Sequence, residues 1–433
     1  MSTQKALSLA AAAALGLAAT AGADTNSDSR AAINSVMREA QQHSQLLAAG
    51  DAMAGIDEKG AFIRGDGGEL RPGLHAQFRG VLNSRSEAKG GDSDTQTGFE
   101  VRRLKLSVEG WAFSPTLKYD IVWQADRNGG AVSLEDFVIT YALDGDMAIR
   151  AGQYKDPVFH EELTSSKRQL AADRSILNEI LGGGVTDRPQ GVSLVYAPKD
   201  GAFKAEVMMH DGAASRNTNF QDSPGVSTNA AAGAISSANF GVSGRVEFKA
   251  MGKWGDYADF SAVNTAENLL VIGGGLDWTQ GLMVDSVGAS PNADRIWCTV
   301  DAQYEMPNPA LGVYGALIFD YTSFSNSVGE DSRLHWGFLV QAGWALNKQW
   351  EVFGRYNMVK LDKDFVAAGA EDTFHELTFG VNHFLFEKAG HKAKITADVG
   401  FLPNGATSGL SGLDILSGTD EQFYVRLQLQ VVQ

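Results

Sequence analysis

Lys167, Arg168 and Arg174 lie within one short polar stretch, and Lys155 stands at its start. Cations that stay charged can draw a passing anion wherever water is confined and the effective dielectric is reduced. Arginine offers a planar fork to phosphate-like groups, and lysine a compact point charge. The stretch is not simply basic, however. Residues 155–180 hold four Lys/Arg against five Asp/Glu, so only 167–174 is locally positive. Each cation is therefore equally suited to pinning the segment through a salt bridge.

Other chemistry has weaker support. His160 adjoins Glu161 and Glu162, but no second histidine falls at ligand spacing, so no metal site is read there. Gly182-Gly183-Gly184 lacks the Lys-Ser/Thr of a phosphate cradle, and neither His-Glu-x-x-His nor Gly-x-Ser-x-Gly occurs. No catalytic residue, metal or cofactor is expected. A net charge of −16 argues against a nucleic-acid partner.

The elements around these residues are strands. Leu334, Trp336, Phe338, Val340, Ala342 and Trp344 alternate with smaller or polar residues, and Phe423, Val425, Leu427, Leu429 and Val431 with Tyr424, Arg426, Gln428 and Gln430. Fifteen to seventeen such segments follow Gly73, among them 268–279, 281–288 and two competing last candidates, 391–401 and 421–432. The phase breaks at Arg102-Arg103 and Glu135-Asp136 read as bulges. The expected fold is all-β, an antiparallel transmembrane barrel of about sixteen strands. Trp111, Trp123, Tyr154, Trp336, Trp344 and Trp350 would form its interfacial girdles. The polar face carries mid-strand charges of both signs, including Arg103, Lys105 and Arg150, as a watery lumen tolerates. Cys298 excludes an internal disulfide and sits on the apolar phase.

The N-terminus has one lysine, an Ala/Leu run and Ala21-Gly22-Ala23, which reads as a signal peptide over 1–23. Residues 24–60 read as a periplasmic helix and linker, with Ser29 capping a helix from Arg30 to Ala49. The barrel would occupy 61–433, with 155–189 as an inward-folded constriction loop. The stretches 211–238 and 402–420 read as long external loops.

Several pieces in order carry a resemblance. They are Glu100-Val101-Arg102-Arg103-Leu104-Lys105, Leu134-Glu135-Asp136-Phe137, Gly152-Gln153-Tyr154-Lys155-Asp156-Pro157, Glu162-Leu163-Thr164-Ser165-Ser166-Lys167 and Asp173-Arg174-Ser175. From Glu100 to Ser175 the chain resembles the phosphate-selective porin O/P family. The resemblance implies a sixteen-stranded outer-membrane barrel, a homotrimer embedded in outer-membrane lipid, with the loop after Lys155 narrowing the pore. It also implies passage of small anions such as phosphate or polyphosphate through a polar, basic lumen. The candidate anion-facing set, read from the charges themselves, is Lys155, Lys167, Arg168 and Arg174 with Arg150, Arg103 and Lys105 on adjoining strands. Two alternatives remain. One is a general porin with weak or cation preference; the other is a secreted β-rich polysaccharide-binding protein or hydrolase, in which Asp120 and Glu109 would serve as an acid/base pair.

Overall fold

A computed structural model describes residues 52–433 except 87–94, 128, 184–186, 213–214, 218–234, 284–291, 326–331, 367–369, 388–389, 408–409 and 417–420. The expected signal peptide and the 30–49 helix lie outside the described residues, as does most of 211–238.

Two short strands, β1 (Met53–Asp57) and β2 (Gly60–Gly65), form a hairpin that the sequence reading did not anticipate. Sixteen longer strands follow. The first eight are β3 (Gly68–Arg85), β4 (Thr95–Ala112), β5 (Ser114–Ala125), β6 (Val132–Ala142), β7 (Met147–Gln153), β8 (Gln190–Tyr196), β9 (Phe203–His210) and β10 (Ile235–Met251). The rest are β11 (Leu269–Met283), β12 (Asn292–Pro307), β13 (Ala310–Ser325), β14 (Ser332–Ala345), β15 (Trp350–Lys360), β16 (Thr373–Phe384), β17 (Ala393–Leu402) and β18 (Gln422–Val432). Each pairs antiparallel with the next, and β18 closes on β3 from Gln422–Arg85 to Val432–His75. The ring is a closed sixteen-stranded barrel. The segment expected at 268–279 and the described start of the one expected at 281–288 are one strand, β11; residues 284–288 lie outside the described residues. The competing C-terminal candidates both form, as β17 and β18.

Closure satisfies every edge, which is what allows strands to stand in lipid. Burial is accordingly inverted. On β18, Leu427 is 58 % exposed and Arg426 1 %. Cys298 lies on the outward phase with Ile296 and Val300, which are 40 % and 57 % exposed. Trp344 and Trp350 also face outward, but Tyr154 does not: it is 2 % exposed inside the barrel, so it is no girdle residue.

The apolar core sits inside the lumen. Val158, Phe159, Leu170, Ile176, Leu177, Ile180 and Leu181 of the segment after β7 pack on Trp297, Tyr314, Leu339, Phe353 and Tyr424 of the far wall. Leu410, Leu413 and Ile415 join the same cluster. The 402–420 connection, read as an external loop, thus folds inward. So does the segment between β10 and β11, entering from the end with the shorter turns: Tyr257 and Phe260 are buried, Tyr257 stacking on His160 and Phe260 meeting it edge-on.

Candidate functional site

The segment Gly152-Gln153-Tyr154-Lys155-Asp156-Pro157 turns the chain off the wall. Gly152 has φ 137°, and a Cβ there would stand 1.9 Å from Phe137 O. Gln153 Nε2 donates to Glu135 O at 2.9 Å, and Tyr154 Oη donates to Ser193 Oγ at 2.9 Å. Arg150 lies 4.3 Å over the Tyr154 ring and pairs with Glu206 at 2.9 Å. Beyond this anchor come α1 (His160–Leu163) and α2 (Ile176–Leu181), the latter capped by Ser175, which accepts from Asn178 N–H.

Polar residues of the far wall hold the loop by its backbone. Lys394 Nζ donates to Gln169 O at 2.7 Å, Asn382 Nδ2 to Leu170 O at 3.0 Å and Arg355 to Asp173 O at 2.8 Å. Asp398 and Glu376 accept from Ala172 N–H and Ile176 N–H at 2.9 and 3.1 Å. Pressed to that side, the loop leaves open a cavity of about 660 Å³ against β3–β6.

The cavity gathers Arg103, Lys105, Lys155, Lys167 and Arg174 from the expected set. The other two fall elsewhere. Arg150 is taken up by Glu206 and Tyr154, and Arg168 Nη1 reaches Ala258 O at 3.4 Å.

Two bulges shape the open wall. On β4, Gln77 faces Arg103 while Phe78 faces Val101, so Arg102 is the extra residue. A bulge lets consecutive side chains point the same way, and both arginines reach Asp173, Arg102 at 3.0 Å and Arg103 at 2.7 Å. On β6, Val122 faces Asp136 and Trp123 faces Leu134, leaving Glu135 extra. Glu135 and Asp136 both line the cavity.

Most cavity cations are already paired. Asp173, wholly buried, also bonds Arg79, and Arg426 stands 4.0 Å away. Burial opposes its charge, but the surrounding arginines hold its carboxyl well below the usual range. Arg188 spans Glu135 at 2.9 Å and Asp136 at 2.7 Å, and Lys105 meets Glu135 at 2.6 Å. Arg174 and Lys155 share Glu162 at 3.3 and 3.5 Å. Lys167 differs. Among the described residues its ammonium has no ion pair, and it faces the field of Glu109 and Asp120, which stand directly opposite each other on β4 and β5.

Burial sets the loop's titration. Desolvation, with Arg174 adding repulsion, brings Lys155 down to about 7. Desolvation and Arg168 also lower Lys167. Glu162 is pushed up by burial but pulled further down by Arg174 and Lys155, to about 2.

The sequence reading missed Arg188, Arg102 and Asp173 as site residues. Only the phase break at Arg102-Arg103 signalled one of them. His160, set aside as a ligand, packs parallel on Tyr257 with centroids 3.9 Å apart, and its Nε2 lies 3.1 Å from Gln303 Oε1.

Residues 77–273 match the family model described as phosphate-selective porin O and P, a span from β3 into β11. No curated protein sequence matches the chain. Among solved structures, OmpT of Vibrio cholerae is similar at 13 % identity and TM-score 0.51, covering 85 % of this chain and 99 % of that one. The outer membrane channel DcaP of Acinetobacter baumannii is similar at 11 % identity and TM-score 0.53, covering 84 % and 97 %. Pseudomonas putida OprB aligns at 10 % identity and TM-score 0.50, covering 85 % and 94 %. At such identities the likeness speaks to the fold.

Proposed function

We propose, taking the chain as the porin that its family match and barrel make it, a channel and not an enzyme, that it is a general passive pore with a modest preference for small anions. The observation that carries this is the pairing pattern. Arg102, Arg103, Lys105, Arg174 and Arg188 each have a carboxylate partner, whereas Lys167 has none among the described residues. A neutralised guanidinium attracts a passing ion weakly, so the pull on anions rests on Lys167 and, below neutral pH, on Lys155, and Glu109 and Asp120 on the wall opposite Lys167 keep it modest. Solutes move down their gradient through the outer membrane with no covalent step. A phosphate-selective pore is the second reading, favoured by the family match.

Three further features belong to the same proposal. Residues 1–23 serve as a cleaved signal peptide, 24–60 as a periplasmic helix and linker that ends in the β1–β2 hairpin, and the barrel works as a homotrimer. One of the similar solved structures is the trimer form of Vibrio cholerae OmpT.

Reversal potentials in a potassium chloride gradient, with and without phosphate, test the reading. A small anion-selective potential that phosphate leaves unchanged is expected. Block by millimolar phosphate would favour the second reading, and cation selectivity would overturn both.

A further inference from the structure

Three side chains that play no part in the cavity meet at the root of the constriction loop. Asp156 follows β7 closely, His210 ends β9 and Asp277 lies on β11, and each is 3 % exposed or less. Their potential ligand atoms all lie within 4.8 Å of one another. His210 Nε2 is 2.8 Å from Asp277 Oδ2, and Thr279 Oγ1 donates to Asp277 Oδ1 at 2.9 Å.

Asp156 is the anomaly. Its carboxylate is buried with no cation paired to it, and the polar group that faces it is the hydroxyl of Ser243, directly across from Asp277 on β10. Among the described residues no Lys or Arg forms an ion pair with either carboxylate. Buried carboxylates are tolerated when paired, protonated or bound to a metal. Gly241, opposite His210 on β10, leaves room for the imidazole ring to lie in this position. A Cβ there would come within 2.2 Å of His210 Cε1 and 2.8 Å of Thr279 Oγ1.

We propose that Asp156, His210 and Asp277 bind one divalent transition-metal ion, of the zinc or manganese class, that ties the start of the constriction loop to β9 and β11. Two carboxylates and an imidazole suit such ions, whereas calcium and magnesium prefer all-oxygen shells. Three protein ligands leave room for water on the ion. Loading has an internal opponent. His210 Nδ1 accepts Gly212 N–H at 3.1 Å, so the ion-free ring carries its proton on Nε2. Binding at Nε2 moves that proton to Nδ1 and breaks the Gly212 bond, which the ion's bonds to the two carboxylates must outweigh.

The test is calorimetric titration of chelator-stripped, detergent-folded full-length protein with zinc chloride and with manganese chloride. One equivalent should bind and raise the unfolding temperature. Asp156→Asn, Asp277→Asn and His210→Gln should each weaken binding at least tenfold, while His391→Gln should not. Crystals of the unaltered protein soaked in zinc should show an anomalous peak between the three side chains, a readout that does not depend on any variant folding. Absence of both heat and peak, or binding unchanged in Asp156→Asn and Asp277→Asn, would overturn the site and leave the three groups sharing a proton. Either result is independent of the pore's ion preference.

Discussion

At the scale of single residues, selectivity depends on which cations lack partners. Lys167→Gln should lower the anion-to-cation permeability ratio. A unit charge 4 Å from the ion path acts with about 1 kcal/mol in bulk water, so a fall of up to about fivefold in the permeability ratio, read from the reversal potential, is expected. Arg168→Gln should leave the ratio unchanged, because that side chain turns to Ala258 O rather than the cavity. The pH dependence follows from Lys155. Its charge is present below about 7 and lost above, while Glu162, held at about 2, stays anionic. With Arg174 sharing Glu162, the trio's net charge thus falls from +1 toward zero, and anion preference should drop between pH 6 and pH 8. Constant selectivity across that range would sink the argument. Asp173→Asn is the sharpest substitution. Removing one partner of a buried ion pair typically costs about 3–5 kcal/mol, so the urea midpoint should fall. In protein that still folds, the released Arg102 and Arg103 should raise anion preference. Neither Asp173 nor Arg188 could be ranked from the chain, because their partners arrive from distant strands. Asp173 lies 94 residues from Arg79. Composition of a segment does not say which charges will meet.

At the scale of elements, the strand period carried most of the fold. The breaks at Arg102-Arg103 and Glu135-Asp136 were legible because a bulge must interrupt a period of two. Elsewhere the pattern misled for a physical reason. The break read at Gln280 split a segment that pairs without interruption against β12 from Leu269 to Leu282. Tyr154 sits at a strand end, where aromatics often face the lipid headgroups, yet the turn at Gly152 sends it inward. That turn is itself testable. With φ 137° and Phe137 O in the way, Gly152→Ala should destabilise the barrel by about 1–3 kcal/mol. The expected sign is a lower temperature for the gel-mobility shift between folded and unfolded protein.

At the scale of the whole molecule, the barrel has two apolar surfaces, one toward lipid and one hidden in its lumen. The outer one was readable, since Leu427 and its neighbours alternate with polar residues. Of the inner one only 155–189 was read as entering the pore; 252–268 and 403–416 look like ordinary loops until the far wall gives them something to pack on. Deleting 160–181 should widen the pore and raise single-channel conductance. It should also uncover Leu339 and Phe353 to water.

The seam between loop and wall has an electrical corollary. A strap held by charged threads alone would loosen by degrees, and the current through it would flicker. A strap also glued along Phe159, Leu177 and Ile180 must release that whole apolar patch together or not at all. Recordings should therefore show a quiet plateau, broken only by rare, full-height steps.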